Sequence, residues 1–240
     1  MRAYISFPGN YPKGAPAIVT DTILYNSSTS TKAQALFTWF DSFDHGVLRP
    51  DYHRVQIERW LYDELHGHEG CVLDVAQDEC PRRWLDATGY LTYGLDPGAD
   101  IFGDLLEMSQ LPVLIRPHDL PRYLVDMDVG AIICTEVLEH CAAPLLACEQ
   151  MYKTLRKGGT LYAAAPFMWP DHATDAYPDY WRFTEQAWRL MLKDFSKVEV
   201  TKIEWTDEGE IFYNFIRRFE CMGFQEDVSM ATGFMVKATK

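Results

Sequence analysis

The chain has 240 residues, is 48% hydrophobic and 14% aromatic, and carries a net charge of −13 from 22 Lys and Arg against 35 Asp and Glu. That length suits one domain, or one domain with an extension, and the apolar content excludes a globally disordered chain. The acidic balance disfavours a nucleic acid partner, which gains affinity from Lys and Arg set against phosphates; the pairs Arg82-Arg83 and Arg217-Arg218 read as solvated surface.

The first residues, Met1-Arg2-Ala3-Tyr4-Ile5-Ser6-Phe7-Pro8, lack the apolar run of a signal peptide, and no stretch reaches the ~18 apolar residues of a membrane span. A cytoplasmic protein with no membrane partner is therefore expected. Residues 1–30, rich in Pro, Gly, Ser and Thr, read as a loop or extended arm. Residues 31–45 have helical spacing. Residues 51–66 have it more clearly, with Val55, Ile57, Trp60, Leu61 and Leu65 near one face and Gly67 and Gly70 beyond the end.

From Cys71 the texture changes. Residues 71–75 form a short apolar run, as a fully buried strand requires. Residues 81–88 can make a helix, residues 90–96 a second strand stopped by Pro97-Gly98, and residues 99–104 a weaker third. Three prolines argue against one long helix over residues 105–127. Residues 129–134 are a strong buried strand. Residues 144–155 are a helix with Pro144 in its first turn, and Lys157-Gly158-Gly159 stops it. Residues 160–165 read as a strand, residues 184–192 as a helix with Thr184 as its N-cap, and residues 195–203 as a strand. Residues 208–222 look helical, and residues 233–238 form a last strand.

Alternating strands and helices imply right-handed βαβ units in a mostly parallel sheet covered on both faces. Such sheets bind ligands beyond the carboxyl ends of their strands, so the chemistry is sought there. Those ends carry Asp74-Val75-Ala76, Asp96-Pro97, Thr135-Glu136 and Pro166-Phe167. Asp96 lies roughly 20 residues beyond Asp74, the spacing at which an acidic side chain can accept from both ribose hydroxyls of a nucleotide; it can equally start the Pro97-Gly98 turn. None of the six cysteines forms a C-x-x-C pair, so no metal site is signalled and none is expected. They read as small core residues of a reduced protein, although Cys141 and Cys148, on one helix face, leave a redox pair open.

The segment from Asp171 to Arg182 follows the fifth strand and is dense in titratable and aromatic groups. His172 is the best general-base candidate, with Asp171, Asp175 or Asp179 to orient it, or else it is a loop histidine bonded to backbone. His140 either closes over a cofactor or caps a turn. Trp169, Tyr177, Tyr180 and Trp181 can line an acceptor pocket or pack the loop; Arg182 can bind an acidic substrate group or pair with Asp179.

Five segments in this order, VLDV at 72–75, YGLDPG at 93–98, ICTEVLEH at 133–140, LRKGGTLYAAAPF at 155–167 and DYWRFT at 179–184, resemble the class I S-adenosylmethionine-dependent methyltransferases. The resemblance covers residues 71 to about 200, with the strand at 233–238 also fitting. It implies a Rossmann-like, doubly wound α/β fold: a seven-stranded sheet, mostly parallel with an antiparallel last strand. Residues 1–66 would form an N-terminal helical extension, as lid or packing, and residues 67–240 the methyltransferase-like domain. The implied cofactor is S-adenosylmethionine, leaving as S-adenosylhomocysteine. Asp74, with Val75 and Ala76, would lie near its methionine part, Asp96 and Pro97 at the ribose, Asp104 and Leu105 beside the adenine, and Thr135, Glu136 and His140 along the cofactor. The implied activity is methyl transfer to a small-molecule or sugar-derived acceptor, with His172 and Asp179 catalytic and Trp169, Tyr177, Tyr180 and Arg182 at the acceptor. A homodimer is left open. The family carries a glycine-rich loop after the first strand; here Ala76-Gln77-Asp78-Glu79-Cys80 has no glycine. A degenerate member serving as a binding or partner subunit is therefore the alternative.

Overall fold

The computed structural model describes residues 52–75, 81, 84–85, 89–95, 99–110, 112–113, 122–124, 127–174, 177–204 and 231–240. The helices expected at 31–45 and 208–222, most of that at 81–88, and the arm at 1–30 lie outside them. A helix α1 (Tyr52–Leu65) precedes strands β1 (Cys71–Val75), β2 (Gly89–Gly94) and β3 (Ile101–Phe102). Strands β4 (Pro112–Val113) and β5 (Arg122–Tyr123) form a separate antiparallel pair. Then follow β6 (Val129–Thr135), α2 (Pro144–Thr154), β7 (Thr160–Pro166), α3 (Glu185–Met191), β8 (Lys197–Glu204) and β9 (Ala231–Thr239).

Seven strands join in one sheet in the order β3-β2-β1-β6-β7-β9-β8. β3, β2, β1, β6 and β7 run parallel, and β9, last in the chain, lies antiparallel between β7 and β8. The expected seven-stranded Rossmann-like sheet is thus observed. Local chemistry sets its elements. β6 is buried along its whole length, which suits its unbroken apolar run. α2 starts on Pro144, whose missing N–H is no loss in a first turn, and Gly158 turns the chain at φ 76°. The Thr184 hydroxyl accepts from the Ala187 N–H at 3.2 Å, so Thr184 caps α3 as expected.

The twofold alternation along the strands divides the core. Val72, Ala131, Ile133, Tyr162, Ala164, Ile203 and Met235 pack with Ile57, Leu61 and Leu65 of α1. Leu73, Val75, Ile132, Cys134, Leu161, Ala163, Phe234 and Val236 pack with Cys148 and Met151 of α2 and Trp188 of α3. Each large apolar side chain so buried is worth about 1.5–3 kcal/mol.

Two local expectations change, at the end of the second strand and at the cysteine pair. The second strand ends at Gly94, and Leu95 is exposed. Within 105–127 the chain makes a 3-10 turn (Leu105–Gln110) and the β4–β5 pair. Cys141 precedes α2 whereas Cys148 lies on it, so the two do not share a helix face; α2 starts only where Pro144 permits.

Candidate active site

The chain turns from β1 outward through β2 to β3, then returns to build β6 and β7 on the other side of β1. The switch point lies between the carboxyl ends of β1 and β6, where Val75 is in register with Tyr93 and with Cys134. Asp74 and Glu136 flank it. Asp74 is buried on the α1 side of the sheet, and the Tyr90 hydroxyl donates to its carboxylate. Val75 points the other way into the core. Ala76, Asp96 and Pro97 lie outside the described residues. Asp104 acts as a local cap: its Oδ1 accepts from the Leu106 N–H at 2.9 Å and its carbonyl accepts from the Tyr93 hydroxyl at 2.6 Å. Leu105 is buried in the core.

Thr135 is buried, and Glu136 has φ 57°, in the left-handed region that L-residues enter at a cost. Its N–H donates to the Ala164 carbonyl at 2.9 Å, which ties that turn to β7. Its Oε1 lies 3.2 Å from Nε2 of His53, a residue of α1 that sequence reasoning missed. The other ring nitrogen, Nδ1, lies 3.2 Å from the Thr232 hydroxyl, and that hydroxyl donates to the Ile203 carbonyl. The His53 ring thus bridges Thr232 and Glu136. Trp169 lies against the same ring, at 5.5 Å between centroids. His53 sits 83 positions from Glu136 and 179 from Thr232. The one local hint was a polar residue on the apolar side of a helix.

A second cluster gathers past β6 and β7. The short 3-10 turn Leu138–His140 points Glu139 inward and His140 toward the loop after β7. His140 Nδ1 donates to the Pro178 carbonyl at 2.6 Å. His172 Nδ1 lies 3.0 Å from Asp179 Oδ2, and the His172 backbone N–H donates to the same oxygen at 3.0 Å. A carbonyl and an ionised carboxylate only accept, so both imidazoles carry their proton on Nδ1. Their Nε2 atoms face each other at 3.2 Å. Glu139 Oε1 is 3.7 Å from His140 Nε2; its side chain is 0% exposed, and neither oxygen has a hydrogen-bond partner among the described residues. Burial, reinforced by the charge of Glu136, pushes its carboxyl well up.

Asp179 is held the opposite way. Arg182 clasps both of its oxygens, at 2.5 and 2.7 Å, and its hydrogen bonds bring the carboxyl down to about 2. The remaining Arg182 donors reach the carbonyls of Trp169, Pro170 and Trp181. Of its two readings the structure therefore favours the pair with Asp179: the guanidinium braces the loop. Tyr177 lies near the His140 ring, at 6.3 Å. Tyr180 and Trp181 are exposed, and the Trp181 indole N–H donates to the Cys141 carbonyl. Thus His172, Asp179, His140 and Tyr177 come together, with Glu139 as a member the sequence did not single out. Its Glu-His neighbourhood after a strand was visible, but not which side chain the turn would aim inward.

No family model and no curated protein matches this sequence. Solved structures do match. An S-adenosylmethionine-dependent methyltransferase from Archaeoglobus fulgidus superposes with a TM-score of 0.50 at 12% identity, over 85% of this chain and 99% of that one. Two others score lower. The N-methyltransferase NodS of Bradyrhizobium japonicum, solved with S-adenosylhomocysteine, has 13% identity and a TM-score of 0.45 over 85% of this chain and 98% of that one. The 1,6-didemethyltoxoflavin-N1-methyltransferase of Burkholderia thailandensis has 14% identity and a TM-score of 0.45 over 90% and 91%. The chain has the fold of the class I S-adenosylmethionine-dependent methyltransferases. The resemblance carried by its five segments thus holds at the level of fold.

Proposed function

We propose that this protein is an S-adenosylmethionine-dependent methyltransferase acting on a small-molecule or sugar-derived acceptor. The observation that carries the proposal is the pairing of a switch-point crevice with a histidine–aspartate dyad on the loop that follows β7. The donor set at the crevice suits the cofactor: Glu136, its side chain 16% exposed, sets a carboxylate where the ammonium or sulfonium charge would lie. Asp74 would support the methionine end, Asp96 and Pro97 would hold the ribose, and Asp104 and Leu105 would border the adenine. The bound cofactor supplies an already activated methyl group, so the protein's main task is in-line alignment.

Asp179 holds His172 in one tautomer, with Nε2 available to take a proton from an acceptor hydroxyl or amine. Trp169, Tyr177 and Tyr180 would bound the acceptor, and Arg182 would act through Asp179. A degenerate, non-catalytic relative is the second reading, favoured by the absence of glycine from Ala76-Gln77-Asp78-Glu79-Cys80. Calorimetry decides between them. S-adenosylmethionine should bind at one site per chain, and Asp96→Ala should weaken it at least about tenfold, or ~1.4 kcal/mol. No heat and no thermal shift at millimolar ligand would leave the fold without the activity.

A further inference from the structure

We propose that Glu139, His140 and His172 form a binding site for a divalent transition-metal ion of the Zn2+ or Mn2+ class. The ligand-capable atoms of all three residues lie within 4.8 Å of one another. Two imidazole nitrogens bound at the usual ~2.0–2.1 Å to one tetrahedral ion stand roughly 3.3 Å apart. The Nε2 atoms of His140 and His172 stand 3.2 Å apart. Each can turn a lone pair toward a cation because each Nδ1 faces acceptors: the Pro178 carbonyl for His140, and the Pro170 carbonyl at 3.4 Å with Asp179 Oδ2 at 3.0 Å for His172. Fixing the far nitrogen in this way is what orients histidine ligands around metals.

The independent observation is Glu139. A carboxylate excluded from solvent, with neither oxygen hydrogen-bonded among the described residues, is costly unless a positive charge completes it. Here its Oε1 lies 3.7 Å from the His140 lone pair, so one ion between them answers both the charge and the two nitrogens. Two imidazoles and one carboxylate suit a borderline ion, and three protein ligands leave positions open for an acceptor oxygen. With the ion in place, His172 serves as ligand, and lowering the acceptor's proton affinity falls to the metal. The sequence signalled no metal site; Glu139 and His140 come from one turn and His172 from a loop 32 residues on. That spacing matches no short metal motif.

The site does not depend on cofactor binding, so it is tested without S-adenosylmethionine, and its failure would leave the methyltransferase reading standing. The full-length protein is stripped with a chelator and titrated with Co2+, Zn2+ and Mn2+. One ion per chain should bind, with visible Co2+ d–d bands and a rise in melting temperature. Asp179→Asn, which loosens both the His172 ring and the loop that Arg182 braces, should weaken binding about 10- to 100-fold. His172→Asn and Glu139→Gln should abolish the bands. The melting temperature of Glu139→Gln should also no longer respond to Zn2+. The site is refuted if millimolar Co2+ produces no bands, or if His172→Asn and Glu139→Gln bind the ions as the parent does.

Discussion

Gly233 shows what one missing atom does. A Cβ there would meet His53 Cε1 at 2.3 Å and the Ala165 carbonyl oxygen at 2.7 Å. Neither can yield easily, since one is strand backbone and the other a buried ring held by Thr232 and Glu136. Gly233→Ala should therefore destabilise the protein by about 1–3 kcal/mol, seen as a lower urea midpoint at unchanged slope. A loss under about 0.5 kcal/mol would mean that His53 swings aside freely. Glycine in a strand usually weakens it; here it admits the ring that ties α1 to the switch point. His53 itself was not legible in the sequence, because nothing near it in the chain announces a partner 83 positions away.

At the level of elements, α1 works through one face. Leu61 is fully buried against the sheet, so Leu61→Ala should cost about 2–5 kcal/mol. Leu190 on α3 is 61% exposed, and Leu190→Ala should stay within about 0.5 kcal/mol. Equal losses from the two in chemical denaturation would contradict this division of labour. Helices and strands of this kind could be read from the chain because their signals are local. The unbroken apolar run of β6, Pro144 at the start of α2 and the Thr184 cap each act within a few residues. The 105–127 stretch was less legible, since a six-residue 3-10 turn and two-residue strands are too short to set up a period.

Over the whole molecule, buried ionisable groups make stability fall at alkaline pH. Burial pushes the Cys148 thiol and the Tyr162 hydroxyl each up to about 12, and Cys134 is also well raised. In the unfolded chain a thiol ionises near ~8.5 and a phenol near ~10. The folded state then holds more protons than the unfolded one, so stability is full below about 8.5 and declines as pH rises toward 12. Urea midpoints should drop over that window, and Cys148→Ala should flatten the decline. An unchanged decline in the variant would show that the thiol takes no part.

By itself the sequence determined the strand–helix alternation from Cys71 onward and hence a mostly parallel α/β class, because periodicity and glycine and proline stops act locally; the family of folds entered through the resemblance of its five segments. It also offered Asp171, Asp175 and Asp179 as carboxylates to orient His172, since they share one loop. Only the tertiary structure decided which side chains meet across the sheet. It turned Arg182 into a brace for Asp179, brought His53 to Glu136, and aimed the buried Glu139 at two histidine nitrogens. The Asp179–Arg182 pair is local, three positions apart, but His53 meets Glu136 across 83 positions and His172 meets His140 across 32, and that geometry is set by strand register and by the burial of both core faces, which no local pattern encodes.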